Sequence, residues 1–163
     1  MQQSLAALVL EKLKSYGRKI AVAESLTGGL LASQLTDESG ASEAFLGGVV
    51  AYNNRAKESL LGVSAELLLA HGAVSTAAAL EMALGVQRSF ADACSLSLEE
   101  VVSLSTTGVA GPAKADGHEV GTVFIAARVG AKQVVEQFHF DGNRQQVRAA
   151  SCNAALELLL QNI

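Results

Sequence analysis

The chain has 163 residues, half of them hydrophobic and 17% charged, and a net charge of −4. That length and composition fit one folded domain, residues 1–163, with a buried core, and exclude a disordered chain. The acidic balance, 4% aromatics and lack of tryptophan argue against a nucleic-acid binder, which needs a basic face or base-stacking platforms.

In chain order, Leu5, Leu8, Val9 and Leu13 recur at helical spacing and predict a helix over 4–15. Gly17 can take the left-handed turn that often ends a helix. The apolar run after Lys19 predicts a buried strand over 19–24, and a second helix is expected over 27–37. A second strand is expected over 47–52 on its β-branched residues and glycines. Short helices follow over 53–62, with Asn53 or Asn54 as cap, and over 64–70. Ser75 caps a longer helix, and 101–106 reads as a third strand. Residues 107–119 form a long glycine-bearing loop with the only proline, and loops of that length are more often functional than idle. Residues 120–129 and 133–140 alternate as a hairpin, and a last helix begins after Asp141-Gly142-Asn143. This order predicts an α/β fold: a three-layer α/β/α domain with a mixed, mostly parallel sheet and an antiparallel edge.

No apolar run approaches the ~20 residues that span a bilayer, and the first residues lack a secretory pattern. A cytoplasmic protein without membrane contact is expected. Cys94 and Cys152 lie far apart, outside any Cys-x-x-Cys spacing, and read as buried thiols in a reducing compartment. His71, His118 and His139 make no metal motif and no recognisable triad order, so no metal is expected. The apolar helices suggest a homodimer.

One segment stands out for chemistry. Glu24-Ser25-Leu26-Thr27-Gly28-Gly29 places a serine where a strand ends and a helix begins. That junction exposes a side chain at the carboxyl edge of a sheet, beside free backbone N–H groups. It suits a hydroxyl nucleophile whose substrate develops an oxyanion. It equally suits a helix capped by Ser25 or Thr27 with a glycine turn. Gly-x-Ser-x-Gly and Ser-x-x-Lys are both absent around Ser25. The base candidate is Lys57, early in the helix after the second strand. At an ordinary pKa of ~10.4, only about 0.04% of a lysine is neutral at pH 7, so burial would be needed to make it a base. The alternative is a solvated helix lysine.

Seven motifs occur in order: Ala23-Glu24-Ser25-Leu26-Thr27-Gly28-Gly29, Tyr52-Asn53-Asn54-x-x-Lys57, Leu61-Gly62-Val63, His71-Gly72-Ala73-Val74-Ser75, Thr107-Gly108-Val109-Ala110-Gly111-Pro112, Val120-Gly121-Thr122-Val123 and Gly142-Asn143-Arg144-x-x-Val147-Arg148. Together they closely resemble the nicotinamide-nucleotide amidase family, the CinA C-terminal domain, from about residue 5 to the end. The resemblance implies an amidase that converts nicotinamide mononucleotide to nicotinate mononucleotide and ammonia, without a cofactor. Carried over, Ser25 is the nucleophile, Lys57 its base, and Tyr52 a neighbour that positions Lys57 or relays a proton. Thr27 and Gly28 become the expected oxyanion site, and Glu24 and Gly29 join them as substrate-binding residues. Thr107, Gly108 and Gly111 would shape the substrate loop, and Arg144 and Arg148 would contact phosphate. The sequence departs from the family pattern at Ala113-Lys114-Ala115-Asp116 and His118-Glu119, where further glycines and Lys-Pro are usual. That departure motivates two other readings: a nucleotide-binding relative without turnover, or a hydrolase of another small amide.

Overall fold

A computed structural model describes residues 3–163 of the chain. Helix α1 (Leu5–Ser15) is capped by the Ser4 hydroxyl, which accepts the Ala7 N–H at 3.0 Å. Strand β1 (Lys19–Glu24) follows and is buried along nearly its whole length. Helix α2 (Leu30–Thr36) and a single 3-10 turn at Ala41–Glu43 lead to β2 (Phe45–Val50). Then come α3 (Asn54–Leu61), α4 (Ala65–His71) and α5 (Thr76–Cys94). Strand β3 (Val101–Gly108), the hairpin β4 (Thr122–Val129) and β5 (Lys132–His139), and α6 (Arg144–Leu160) complete the chain.

The sheet order is β2-β1-β3-β4-β5. Strands β1, β2 and β3 run parallel, and only β4 is reversed, so four of the five strands point the same way. Side chains alternate across this sheet, which gives it two apolar faces. Ile20, Val22, Leu104 and Ile125 pack with Leu13, Leu35 and Leu156 from α1, α2 and α6. On the other face Ala21, Ala23 and Val101 pack with Leu61, Met82 and Val86 from α3 and α5. Phe124 and Ala126 meet Ala79 and Ala83 of α5 on that same face. The architecture is the three-layer α/β/α arrangement with a mixed sheet. Serines on β3 bring α5 close: Ser103 donates to Ala83 O at 2.7 Å and Ser105 to Ala79 O at 2.6 Å. The alanines opposite them leave room for that approach.

Several boundaries differ from the sequence expectation, each for a local reason. Helix α2 starts at Leu30 rather than 27, because Gly28 and Gly29 take φ of 57° and 95° and form a left-handed turn first. Strand β2 lies two residues earlier than expected. Its register is set by pairing Phe45 with Ile20 and Val50 with Glu24, so it stops where β1 stops and Tyr52 falls beyond it. Gly48 sits inside the strand, where a Cβ would lie 2.6 Å from Val22 Cγ2. Strand β3 runs on to Gly108, paired with Val123. Cys152 is buried as expected, and its thiol is pushed up to about 12 mainly by that burial. Cys94 is exposed instead, since it falls on the last turn of α5. No helix among the described residues is long and apolar enough to cross a membrane.

Candidate active site

Every strand that runs with β1 delivers one residue to the same edge of the sheet. Ser25 follows β1, Lys57 comes from α3 after β2, Thr107 closes β3, and Arg144 opens α6 after β5. All four line one cavity of about 190 Å³, together with Leu26, Tyr52, Ala73, Val74 and Gly108. Carboxyl edges of this kind, where connections leave toward opposite faces, are where α/β sheets bind ligands.

Lys57 is only 2% exposed and Ser25 7%. Its ammonium nitrogen lies 3.1 Å from Ser25 Oγ, 2.9 Å from Ala51 O and 3.3 Å from Tyr52 O. Asn53 caps α3 by accepting the Ala56 N–H at 2.8 Å, which fixes the turn that carries Lys57 inward. Burial pushes the Lys57 pKa below its ordinary 10.5, and the Asp116 carboxylate opposes that shift in part. A lysine ammonium has three N–H donors. Here they meet three oxygens, two of them carbonyls that can only accept. When the amine is neutral, the two carbonyls hold its two N–H bonds and its lone pair is left facing the Ser25 hydroxyl.

The turn after Ser25 is braced on several sides. The Glu24 carboxylate, 1% exposed, accepts the N–H groups of Gly29 (3.1 Å), Leu31 (3.0 Å) and Ala32 (2.9 Å). It therefore occupies the positive end of α2 itself. Thr27 is fully buried, and its hydroxyl shares a hydrogen bond with that of Thr106 at 2.7 Å. The Gly28 N–H donates back to Ser25 O at 3.1 Å. Arg148 donates to Leu26 O (2.9 Å) and Thr27 O (2.8 Å).

The expected site residues thus separate into two groups. Ser25, Lys57, Tyr52, Thr107, Gly108 and Arg144 meet at the cavity. Glu24, Thr27, Gly28, Gly29 and Arg148 lie in or against the turn behind Ser25, outside the cavity lining. Gly111 also stands off the lining, but its carbonyl accepts from Arg144. The Tyr52 ring is 60% exposed at the rim, where its hydroxyl accepts from Arg144 at 2.9 Å, while its carbonyl reaches Lys57. Missed in the sequence were Ala73 and Val74, which form a cavity wall; the Thr107 hydroxyl donates to Ala73 O at 2.6 Å. Both residues lie within a recognised motif, but nothing in their chemistry marks them as wall residues. Among the described residues no cluster of three or more metal-ligating side chains occurs.

Fold and site define an α/β/α domain with a buried serine–lysine pair at the carboxyl edge of its sheet. The chain belongs to the family described as the CinA C-terminal domain, whose family model matches residues 2–163. A CinA-like protein of Syntrophomonas wolfei is 42% identical over 164 residues, covering 98% of this chain and 37% of the relative. Another, from Geotalea daltonii, is 40% identical over 163 residues, covering 99% of this chain and 37% of the relative. The chain thus spans a little over a third of the length of these curated relatives. Among solved structures, the competence damage-inducible protein A of Klebsiella pneumoniae superposes with a TM-score of 0.88 at 31% identity, covering 97% of this chain and 94% of that one. A CinA superfamily protein of Escherichia coli gives 0.87 at 30% identity, covering 100% and 95%.

Proposed function

We propose that this chain is an amidohydrolase that deamidates nicotinamide mononucleotide to nicotinate mononucleotide and ammonia, with Ser25 and Lys57 as the reacting pair. The observation that carries this reading is the 3.1 Å approach of the Lys57 nitrogen to Ser25 Oγ, both buried on one cavity wall. In the proposed reaction, neutral Lys57 takes the Ser25 proton as Oγ attacks the carboxamide carbon. The C–N bond breaks, and the Lys57 ammonium returns the proton to the leaving nitrogen, releasing ammonia and leaving a Ser25 ester. Water, deprotonated by Lys57, then cleaves that ester to the carboxylate and restores the hydroxyl.

Thr27 and Gly28 were the expected oxyanion donors. The Gly28 N–H is already bonded to Ser25 O, so we assign that role to the N–H of Leu26, the first residue after the nucleophile and one that lines the cavity. Pockets for drug-sized ligands run to about 300–1,000 Å³. At about 190 Å³ this cavity suits the carboxamide end of a nucleotide, with its phosphate outside against Arg144. Arg148, with its guanidinium on the Leu26 and Thr27 carbonyls, serves in this reading to hold the nucleophile turn rather than a phosphate.

The test is ammonia release from nicotinamide mononucleotide by wild type, Ser25→Ala and Lys57→Met. Loss of at least ~10³-fold in both variants is expected. Full activity in Ser25→Ala would sink the mechanism. The small cavity favours one second reading, a hydrolase of another small amide. A folded wild type that releases ammonia from other amides, but not from the nucleotide, would establish it.

A further inference from the structure

The loop between β3 and β4, residues 109–121, contains the Ala113-Lys114-Ala115-Asp116 and His118-Glu119 stretches where the resemblance drawn from the sequence breaks off, and its tip is built on Asp116. Asp116 and Gly117 both take positive φ, 49° and 76°. Ala115 and His118 close the turn by exchanging backbone hydrogen bonds at 3.2 and 2.9 Å. This is the two-residue hairpin turn that Asp-Gly favours. The turn is not left in solvent. Asp116 Oδ2 accepts the Ala73 N–H at 2.9 Å and the Val74 N–H at 3.1 Å. Ala73 and Val74 are a wall of the cavity that holds Ser25 and Lys57. That wall is gripped from two sides, since the Thr107 hydroxyl donates to Ala73 O. Gly72 completes the fit: a Cβ there would lie 3.2 Å from Asp116 Oδ2.

We propose, resting on the serine–lysine reading of the site, that Asp116 is a positioning residue. Its carboxylate fastens the 109–121 loop to the Ala73–Val74 wall of the cavity that holds Ser25 and Lys57. Its charge also opposes the lowering of the Lys57 pKa by burial. Ser25 and Tyr52 approach Lys57 as neutral groups, and Arg144 at the rim is a cation. Glu24 is turned to the N–H groups of α2. On α5, Glu81 is bonded to the Ser64 N–H, while Arg88 lines the outer groove beside Ser59 and Leu60. Arg55 and Glu58 lie on the same helix as Lys57. Burial makes Lys57 a better base at neutral pH, and the Asp116 charge limits how far that goes.

Two variants separate clamp from charge. Asp116→Asn keeps an acceptor oxygen and removes the charge; Asp116→Ala removes both. In Asp116→Ala, hydrogen exchange of the Ala73 and Val74 amides should quicken about 10-fold, as expected for a lost hydrogen bond to a charged acceptor. In Asp116→Asn that exchange should stay within about 3-fold of wild type. The Lys57 side chain, followed by NMR in protein carrying ¹³C-lysine and assigned with Lys57→Arg, should titrate at lower pH in Asp116→Asn than in wild type. Ammonia release should then begin at lower pH in Asp116→Asn, whereas a purely structural lesion would depress it at every pH. An unchanged Lys57 titration in Asp116→Asn, or unchanged Ala73 and Val74 exchange in Asp116→Ala, overturns the proposal. A wild type that releases no ammonia overturns the amidase reading instead, and the two NMR measurements still judge Asp116.

Discussion

Lys57 meets two fixed carbonyls and one hydroxyl, an arrangement that suits a base and works against stability. Burying an ammonium is unfavourable, and the folded state holds its proton less tightly than the unfolded chain does. The unfolded chain therefore binds more protons between the lowered pKa and 10.5, and the wild type gains stability as pH rises through that window. Lys57→Met does not titrate and removes the buried charge. It should be at least as stable as wild type at pH 7, by up to about 1–2 kcal/mol. That advantage should shrink toward pH 10; urea midpoints across the range check it. Glu24 is the opposite case. Its carboxylate satisfies three N–H groups in the interior, so Glu24→Ala leaves them without acceptors and should cost about 3 kcal/mol. Glu24→Gln, which keeps one acceptor oxygen, should cost less. An Ala variant as stable as wild type in urea would show that Glu24 does not hold this turn.

Among the elements, α3 is fixed by a contact that leaves no room for one methyl group. Gly85 on α5 faces the end of α3 so closely that a Cβ would lie 1.9 Å from Leu61 O. Gly85→Ala must push α3 away from α5, and α3 is the helix that carries Lys57. Overpacking of this kind typically costs about 1–3 kcal/mol. The same shift should lower kcat far from any cavity residue, so unfolding midpoint and kcat should fall together. A Gly85→Ala enzyme with unchanged kcat would mean that α3 keeps its place by other contacts. Helical spacing cannot reveal this, because it gives the apolar face of α5 without saying which position touches backbone. The same limit explains the misread start of α2. Gly28 and Gly29 were legible as a turn, but the Glu24 carboxylate that replaces a normal cap lies one residue before Ser25 and belongs to the strand. The Ser75 cap, and Asn53 as one of two candidates, were legible because their hydrogen bonds are local, three residues ahead.

At the scale of the molecule, the layer order and the direction of the strands were readable from alternating elements, since helices between strands require parallel neighbours. The meeting of Ser25 with Lys57 was readable as a resemblance, with Lys57 placed early in the helix after the second strand. The long-range partners were not readable: the Asp116 carboxylate on the Ala73–Val74 wall and the Arg148 guanidinium on Leu26 O join segments 42 and 122 residues apart. Leu60 and Leu69 are 55% and 90% exposed on α3 and α4, and the homodimer expected from the sequence stands as a proposal with a direct test. Light scattering at micromolar concentration should return about twice the 16.8 kDa chain mass, and a monomer mass would refute it. The filled end of α2 has a consequence for how the site answers to its solution. With Glu24 already seated there, the positive end of α2 is taken up, and the net charge of −4 adds no overall attraction for an anion. In the proposed reaction, capture would rest on contact with Arg144 over a few ångströms, well inside the ~10 Å Debye length at 0.1 M salt. Across a tenfold range of ionic strength, kcat/KM for an anionic amide should change by less than about 3-fold, while Arg144→Ala should raise KM at every salt concentration.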